Sequence, residues 1–174
     1  MKKIFPILFF FCWSFLHAQL IIESDGPGNT YELLTSKLAP NYYPIEVPDC
    51  GHNNFGRHID EIFDNELNKN VFRFFIHTSE DDDRCINFDR QRNEIKSYDK
   101  SPDSLLAIQG EIVRYQWKFK LSDGFQSSPN FTHIHQLKAV GGSESSMPLI
   151  TLTTRKNTPD ELELDMRKLP LLLL

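Results

Sequence analysis

Residues 110–121, GEIVRYQWKFKL, alternate without interruption. Val113, Tyr115, Trp117, Phe119 and Leu121 fall on one side of an extended chain, and Arg114, Gln116, Lys118 and Lys120 on the other. An apolar period of two over this length does not suit an amphipathic helix and predicts a strand with one face in a core and one in water. Comparable stretches recur: YPIEV, VFRFFIHT (71–78), RQRNEIKSY (90–98), FTHIHQLK (131–138), MPLITLTTR (147–155) and LELDMR (162–167). The polar runs SEDDDR, SPDS, SDGFQSSPN and AVGGSESS separate them. Short strands with turn signals between them predict an all-β fold, an antiparallel β-sandwich or jelly roll. One short helix is expected at 58–69, HIDEIFDNELNK, where Ile59, Ile62, Phe63 and Leu67 fall near a helical repeat. Residues 19–56, rich in Pro, Gly, Asn and Asp, read as a loop-dominated entry segment.

Residues 1–18 read as an export signal rather than as part of the fold. MKK supplies a positive start, IFPILFFFCWSFL an apolar run short for a membrane span, and LHA a small-residue cleavage site before Gln19. The alternative is an uncleaved N-terminal anchor. Cleavage after Ala18 leaves residues 19–174, enough for one domain with a core and hardly for two. Loss of Lys2 and Lys3 moves the net charge from −5 to −7, which argues against nucleic acid or an anionic membrane as a partner. The expected product is a secreted or periplasmic monomer. In such a compartment the default fate of Cys50 and Cys85 is a disulfide, with two separate buried thiols as the alternative. The tail KLPLLLL reads as an interrupted product, or else as a terminal strand tucked under a sheet.

Two strands carry clustered polar residues at i, i+2 spacing. Arg90, Arg92, Glu94 and Lys96 line one face of 90–98, and Gln136 and Lys138 share a face of 131–138. Cations side by side are costly unless an anion lies among them, and Glu94 alone does not neutralise the set. The pattern fits either a solvated face with salt bridges or a groove for a polyanion. In a groove, Arg92 offers a bidentate fork to a carboxylate and Glu94 holds that fork. Strict alternation puts His133 and His135 together on the face opposite Gln136 and Lys138. Their spacing could suit a metal, but no third ligand follows at suggestive spacing. His77, at a strand end, reads as a base or a capping side chain; His52 and His58 have weaker claims. Residues 80–83, Glu-Asp-Asp-Asp, offer oxygens to calcium without the glycine placement of an EF-hand, and otherwise read as an ordinary acidic loop. Asn130, Phe131 and Thr132 form a glycosylation sequon.

DCGHNNFGRHIDEIFDNEL, FIHTSEDDDRCINFDRQRNEIKSYDKSPDSLL, GEIVRYQWKFKL and FTHIHQLKAVGGSESSMPLITLTTR together resemble the secreted glucuronan lyases, covering residues 49–164. RNEI is similar to the Arg-x-Glu-Leu strand motif of the jelly-roll alginate lyases, and HQLK stands in the place of their Gln-Ile-His motif. The resemblance implies a concanavalin-like β-jelly roll that cleaves a uronic-acid polymer by β-elimination. It implies no required cofactor, with calcium as the candidate ion. Arg92 and Gln136 would neutralise the uronate carboxylate, Lys138 stands where the alginate lyases have histidine, and His77 is the alternative base. Arg90, Glu94, Lys96 and His135 would contact the anionic polysaccharide. No Tyr-x-Lys-x-Gly-type strand follows Leu164, so the domain is expected to lack its last strands. The competing readings are a non-catalytic carbohydrate-binding β-sandwich or an inactive lyase fragment. A glycoside hydrolase ranks last, because the charged strand offers only one carboxylate, Glu94.

Overall fold

The computed structural model describes residues 20–52, 54–108 and 110–167, so the expected export signal and the leucine tail lie outside the described residues. The chain is β-rich, with antiparallel sheets and one short α-helix among those residues. It divides into two compact units, one ending at Glu111 and the other starting at Ile112.

In the first unit, α1 (Thr30–Leu38) lies in the segment expected to be loop. Thr30, Leu34 and Leu38, spaced four apart, form its buried stripe, with Leu34 and Ile59 fully enclosed. The helix expected at 58–69 is instead a hairpin of β2 (Ile59–Asp64) and β3 (Lys69–Phe74), paired from Ile59 opposite Phe74 to Asp64 opposite Lys69. The turn decides this. Asp64 Oδ1 accepts from the amides of Glu66 and Leu67 at 2.8 and 2.9 Å, and Asn68 takes a left-handed φ of 52°. Those bonds give the backbone a competitor to helix, and pairing with β3 extends the advantage along the whole strand. Arg73 then locks the register by a two-nitrogen contact to Asp60, its cross-strand partner, at 2.9 and 2.6 Å.

β1 (Ile45–Glu46) pairs with β4 (Glu94–Ile95), Glu46 opposite Glu94. Of the expected strand at 90–98, only these two residues make regular ladder positions. Cys50 and Cys85 form a disulfide with a sequence separation of 35. Closing a loop of that length removes denatured-state entropy worth about 3–4 kcal/mol. Replacing both cysteines by alanine is therefore expected to lower the unfolding free energy by about that amount in urea titrations. A loss below about 1 kcal/mol would mean that the crosslink leaves the denatured ensemble little changed.

The second unit is a three-stranded antiparallel sheet, β5 (Thr132–Lys138), β6 (Pro148–Arg155) and β7 (Glu161–Met166), in the order β5-β6-β7. Its three strands coincide with the sequence reading. Thr151 and Thr153 of β6 are buried and sit opposite Asp165 and Glu163 of β7, making a polar face. The other face is apolar, Ile150 and Leu152 with Leu162, Leu164 and Met166, and the last three are exposed. Residues 112–121 make no sheet pairing among the described residues. Val113, Tyr115, Trp117, Phe119 and Leu121 are all exposed, although Trp117 lies 4.2 Å, centroid to centroid, from the His135 ring. Alternation sets where side chains point; a ladder also needs a neighbouring row of N–H and C=O groups. Among the described residues no helix is long and apolar enough to cross a membrane.

Candidate functional site

Three polar constellations emerge, two in the first unit and one in the second. The charged face of 90–96 is the first. Alternation holds there: Arg92, Glu94 and Lys96 share a side, while Asn93 points the other way and donates to the carbonyls of His58 and Phe75 at 2.9 and 2.5 Å. What the strand faces is Glu46, whose side chain is 4% exposed and which receives Arg84, Arg92 and Lys96. Asp83, equally enclosed, holds Arg84 Nε at 2.7 Å and Arg92 Nε at 3.5 Å. The cations are therefore neutralised largely from within the protein. Burial alone would raise the Glu46 carboxyl, but Lys96 and Arg92 reverse this and hold it below the usual carboxylate range. Glu94 goes up instead: burial and the neighbouring Glu46 outweigh Arg92, although Arg92 Nη1 lies 3.3 Å from its Oε1. Arg90 lies apart from this set, exposed and paired with Asp89 at 2.9 Å.

The second constellation gathers three histidines around Asp81. His58, fully buried, points Nε2 at Asp81 Oδ1 (3.1 Å), and Nδ1 of both His52 and His77 lies 3.3 Å from the same oxygen. Asp81 Oδ2 accepts the His77 amide at 2.6 Å and lies 3.1 Å from His77 Nδ1. The outward nitrogens have carboxylates of their own: His58 Nδ1 lies 2.8 Å from Asp49 Oδ1, and His52 Nε2 lies 2.9 Å from Glu80 Oε2. Asp49 also accepts from the Tyr31 hydroxyl at 2.8 Å, and burial followed by this bond pushes the Tyr31 phenol up. Phe55 packs against all three imidazoles, with ring centroids 4.4 to 5.2 Å away. The Cys50–Cys85 disulfide joins the chain beside His52 to the chain beyond Asp81. Of the other acidic-loop residues, Asp82 Oδ1 accepts the Cys85 amide at 2.7 Å and Asp83 is taken up by Arg84, Arg92 and Asn87.

The third constellation corrects the reading of FTHIHQLK. Strict alternation puts His133 with His135, yet the register runs His133 opposite Thr153, His135 opposite Leu152 and Gln136 opposite Thr151. Ile134 is an extra residue, a β-bulge, and it shifts the phase by one. His133 therefore joins Gln136 on the polar side of Thr151 and Thr153, while His135 faces the apolar side with Leu152. Gln136 and Lys138 are both exposed. His133 Nδ1 lies 2.8 Å from Thr153 Oγ1, and that hydroxyl donates to Thr151 Oγ1 at 3.1 Å. With its proton given to Thr151, Thr153 accepts from the His133 Nδ1–H, which leaves Nε2 with a lone pair. Burial, then the Arg155 charge, pushes His133 below its ordinary value, so it is neutral near pH 7; burial also lowers His135.

Arg90, Arg92, Glu94, Lys96 and His77 thus belong to the first unit, and His135, Gln136 and Lys138 to the second. The register places His133 on the face that strict alternation assigned to Gln136, and the contacts of His52 and His58 with Asp81, of Glu46 with Arg92 and of Asp49 with His58 were not read from the sequence. The signals were faint: a bulge leaves no mark in a bare alternation, and loop carboxylates acquire meaning only from what folds against them. No family description, curated protein or solved structure matches this chain.

Proposed function

We propose that this chain is an exported lyase of β-jelly-roll type that cleaves a uronic-acid polysaccharide, glucuronan or a close relative, by β-elimination. The observation that carries the reading is the bulge at Ile134, which gives a neutral, hydroxyl-anchored imidazole and an exposed amide the same face of one strand. The chemistry needs both. The Gln136 amide and the Lys138 ammonium bind the uronate carboxylate and take up charge as C5 is deprotonated. His133 Nε2 removes the C5 proton, the C5–H electrons form the C4=C5 bond, and the C4–O4 bond breaks. The departing O4 then takes its proton from the imidazolium so formed, so one residue serves as base and then acid. In the first unit, taken by itself, Arg92 is proposed to bind a uronate carboxylate of the polymer through Nη2, which no protein acceptor engages among the described residues. Arg90 and Lys96 are proposed as polysaccharide contacts of the first unit, with Glu94 holding Arg92, whereas His135, expected as a contact, lies on the strand face opposite Gln136 and is left out.

The test is incubation with glucuronan and with alginate while following the ultraviolet absorbance of the new double bond. Absorbance is expected to grow with glucuronan, and Gln136→Ala to slow it by about 10²-fold, as for loss of one donor to a developing oxyanion. Binding of glucuronan without new absorbance would instead favour a carbohydrate-binding sandwich, which needs the same polar face but no base. Neither binding nor absorbance would overturn both.

A further inference from the structure

The lyase reading does not use the three histidines around Asp81, whose ring nitrogens all turn toward one enclosed carboxylate. Asp81 Oδ1 has the His58 and His52 ring nitrogens at 3.1 and 3.3 Å, while His77 Nδ1 lies 3.3 Å from Oδ1 and 3.1 Å from Oδ2, which also takes the His77 amide. His58 and His52 each face a carboxylate with both ring nitrogens, so as purely hydrogen-bonded rings both would have to carry two N–H protons, although His58 is fully buried and the two ring centroids are only 5.5 Å apart. A cation among the ring nitrogens and Asp81 removes the conflict, because each nitrogen then offers a lone pair instead of a proton. We propose that His52 Nδ1, His58 Nε2, His77 Nδ1 and Asp81 Oδ1 are the four ligands of a tetrahedral divalent transition-metal site, zinc by ligand class.

Three independent features point the same way. The first is spacing. Bonds of about 2.0–2.1 Å at tetrahedral angles put neighbouring ligand atoms about 3.3–3.4 Å apart. The three nitrogens lie 3.1, 3.3 and 3.3 Å from Asp81 Oδ1, and all four atoms fall within 4.8 Å of one another. The second is the outer layer. A metal-bound imidazole normally donates its remote N–H to a carboxylate, which fixes the tautomer and makes the ligating nitrogen more basic. His58 does so to Asp49 and His52 to Glu80, and Asp49 is itself oriented by the Tyr31 hydroxyl. The third is enclosure. Asp81 and His58 side chains have no solvent exposure, Phe55 covers the rings, and the disulfide clamps the two loops that supply the ligands.

Three imidazoles and one carboxylate suit zinc and its borderline neighbours, whereas calcium takes six to eight oxygens. Four protein ligands make a closed site, so the ion acts as a structural clip between the segment that carries His52 and His58 and the loop after β3 that carries His77 and Asp81.

The test uses the oxidised chain, stripped with EDTA and titrated with Zn²⁺ and with Co²⁺. One equivalent of zinc by elemental analysis is expected, with the intense visible bands of four-coordinate cobalt and a Tm raised by at least about 5 °C on loading. His77→Gln and His52→Gln, whose side chains are 34% and 18% exposed, are chosen over His58 to spare the buried ring. Each is expected to weaken zinc binding at least tenfold and to abolish the cobalt bands while the near-ultraviolet dichroism stays native. His133→Ala, inactive under the lyase reading, keeps its full metal equivalent, so failure of one idea does not carry the other. Folded wild-type chain that binds no zinc at micromolar concentrations overturns the proposal, as does His77→Gln retaining wild-type zinc affinity.

Discussion

Glu46→Gln is expected to cost about 3–5 kcal/mol of stability, the range found when one partner of a buried ion pair is removed. The carboxylate is 4% exposed, and Arg84, Arg92 and Lys96 all converge on it. A neutral amide of the same size fills the space but leaves three half-buried cations to share Asp83 and Glu94. The contrast lies with Glu94→Gln. Burial and the Glu46 charge already raise the Glu94 carboxyl, so removing its charge relieves a like-charge pair held opposite across β1 and β4. That variant is expected to match or exceed wild type at neutral pH. The two groups also respond oppositely to acid. Glu46, held below the ordinary carboxylate range, contributes stability that is present above its unfolded value and lost as pH falls through its folded one. Glu94, raised, contributes at low pH and loses that contribution as pH rises through its folded value. Urea unfolding at pH 7 and at pH 4 separates them: the penalty of Glu46→Gln shrinks at the lower pH. A penalty under 1 kcal/mol at pH 7 would mean that the cluster behaves as a solvated surface group, whose pairs are worth that little.

His133→Ala is expected to lower kcat on glucuronan by 10²- to 10⁴-fold, the usual contribution of a positioned base, with a smaller change in KM. The pH profile of the wild type carries the finer prediction. Burial and Arg155 lower the His133 value, so the base form persists below histidine's ordinary value of about 6.5. The acidic limb of kcat/KM therefore falls below that pH as the ring takes up its proton. Thr153→Val removes the acceptor that fixes the tautomer and is expected to shift this limb as well as slow turnover, which mere packing damage would not do. A His133→Ala chain with near-normal kcat would remove His133 from the reaction and return the question to His77.

Much of the second unit was legible in the sequence. β5, β6 and β7 arise where alternating, β-branched runs stand between turn residues, because such runs bury one face and pair along their length. The disulfide joins the two cysteines for which the sequence reading expected that pairing, Cys50 and Cys85. Elsewhere local pattern misled for identifiable reasons. The run at 58–69 has helical spacing, but Asp64 bonds the turn amides and β3 lies within reach, so the hairpin wins. The short helix Thr30–Leu38 sat inside a segment whose prolines and glycines flank it rather than interrupt it.

The sequence alone determined that the chain is β-rich, that positions 92, 94 and 96 present charge to one side, and that His, Gln and Lys lie close together on one strand. Tertiary structure decided what those charges face and which strand residues share a side. Glu46 reaches Arg92 and Lys96 only through the pairing of β1 with β4, across a separation of 46 and 50 residues. The bulge at Ile134 is a property of the β5–β6 register, and no strand encodes its partner's register by itself. The same holds for Asp81: three histidines from 4 to 29 residues away meet it because two loops, a hairpin and a disulfide fold against each other. Side-chain direction is a local property of the backbone, whereas burial and electrostatic partnership depend on contacts between segments far apart in sequence.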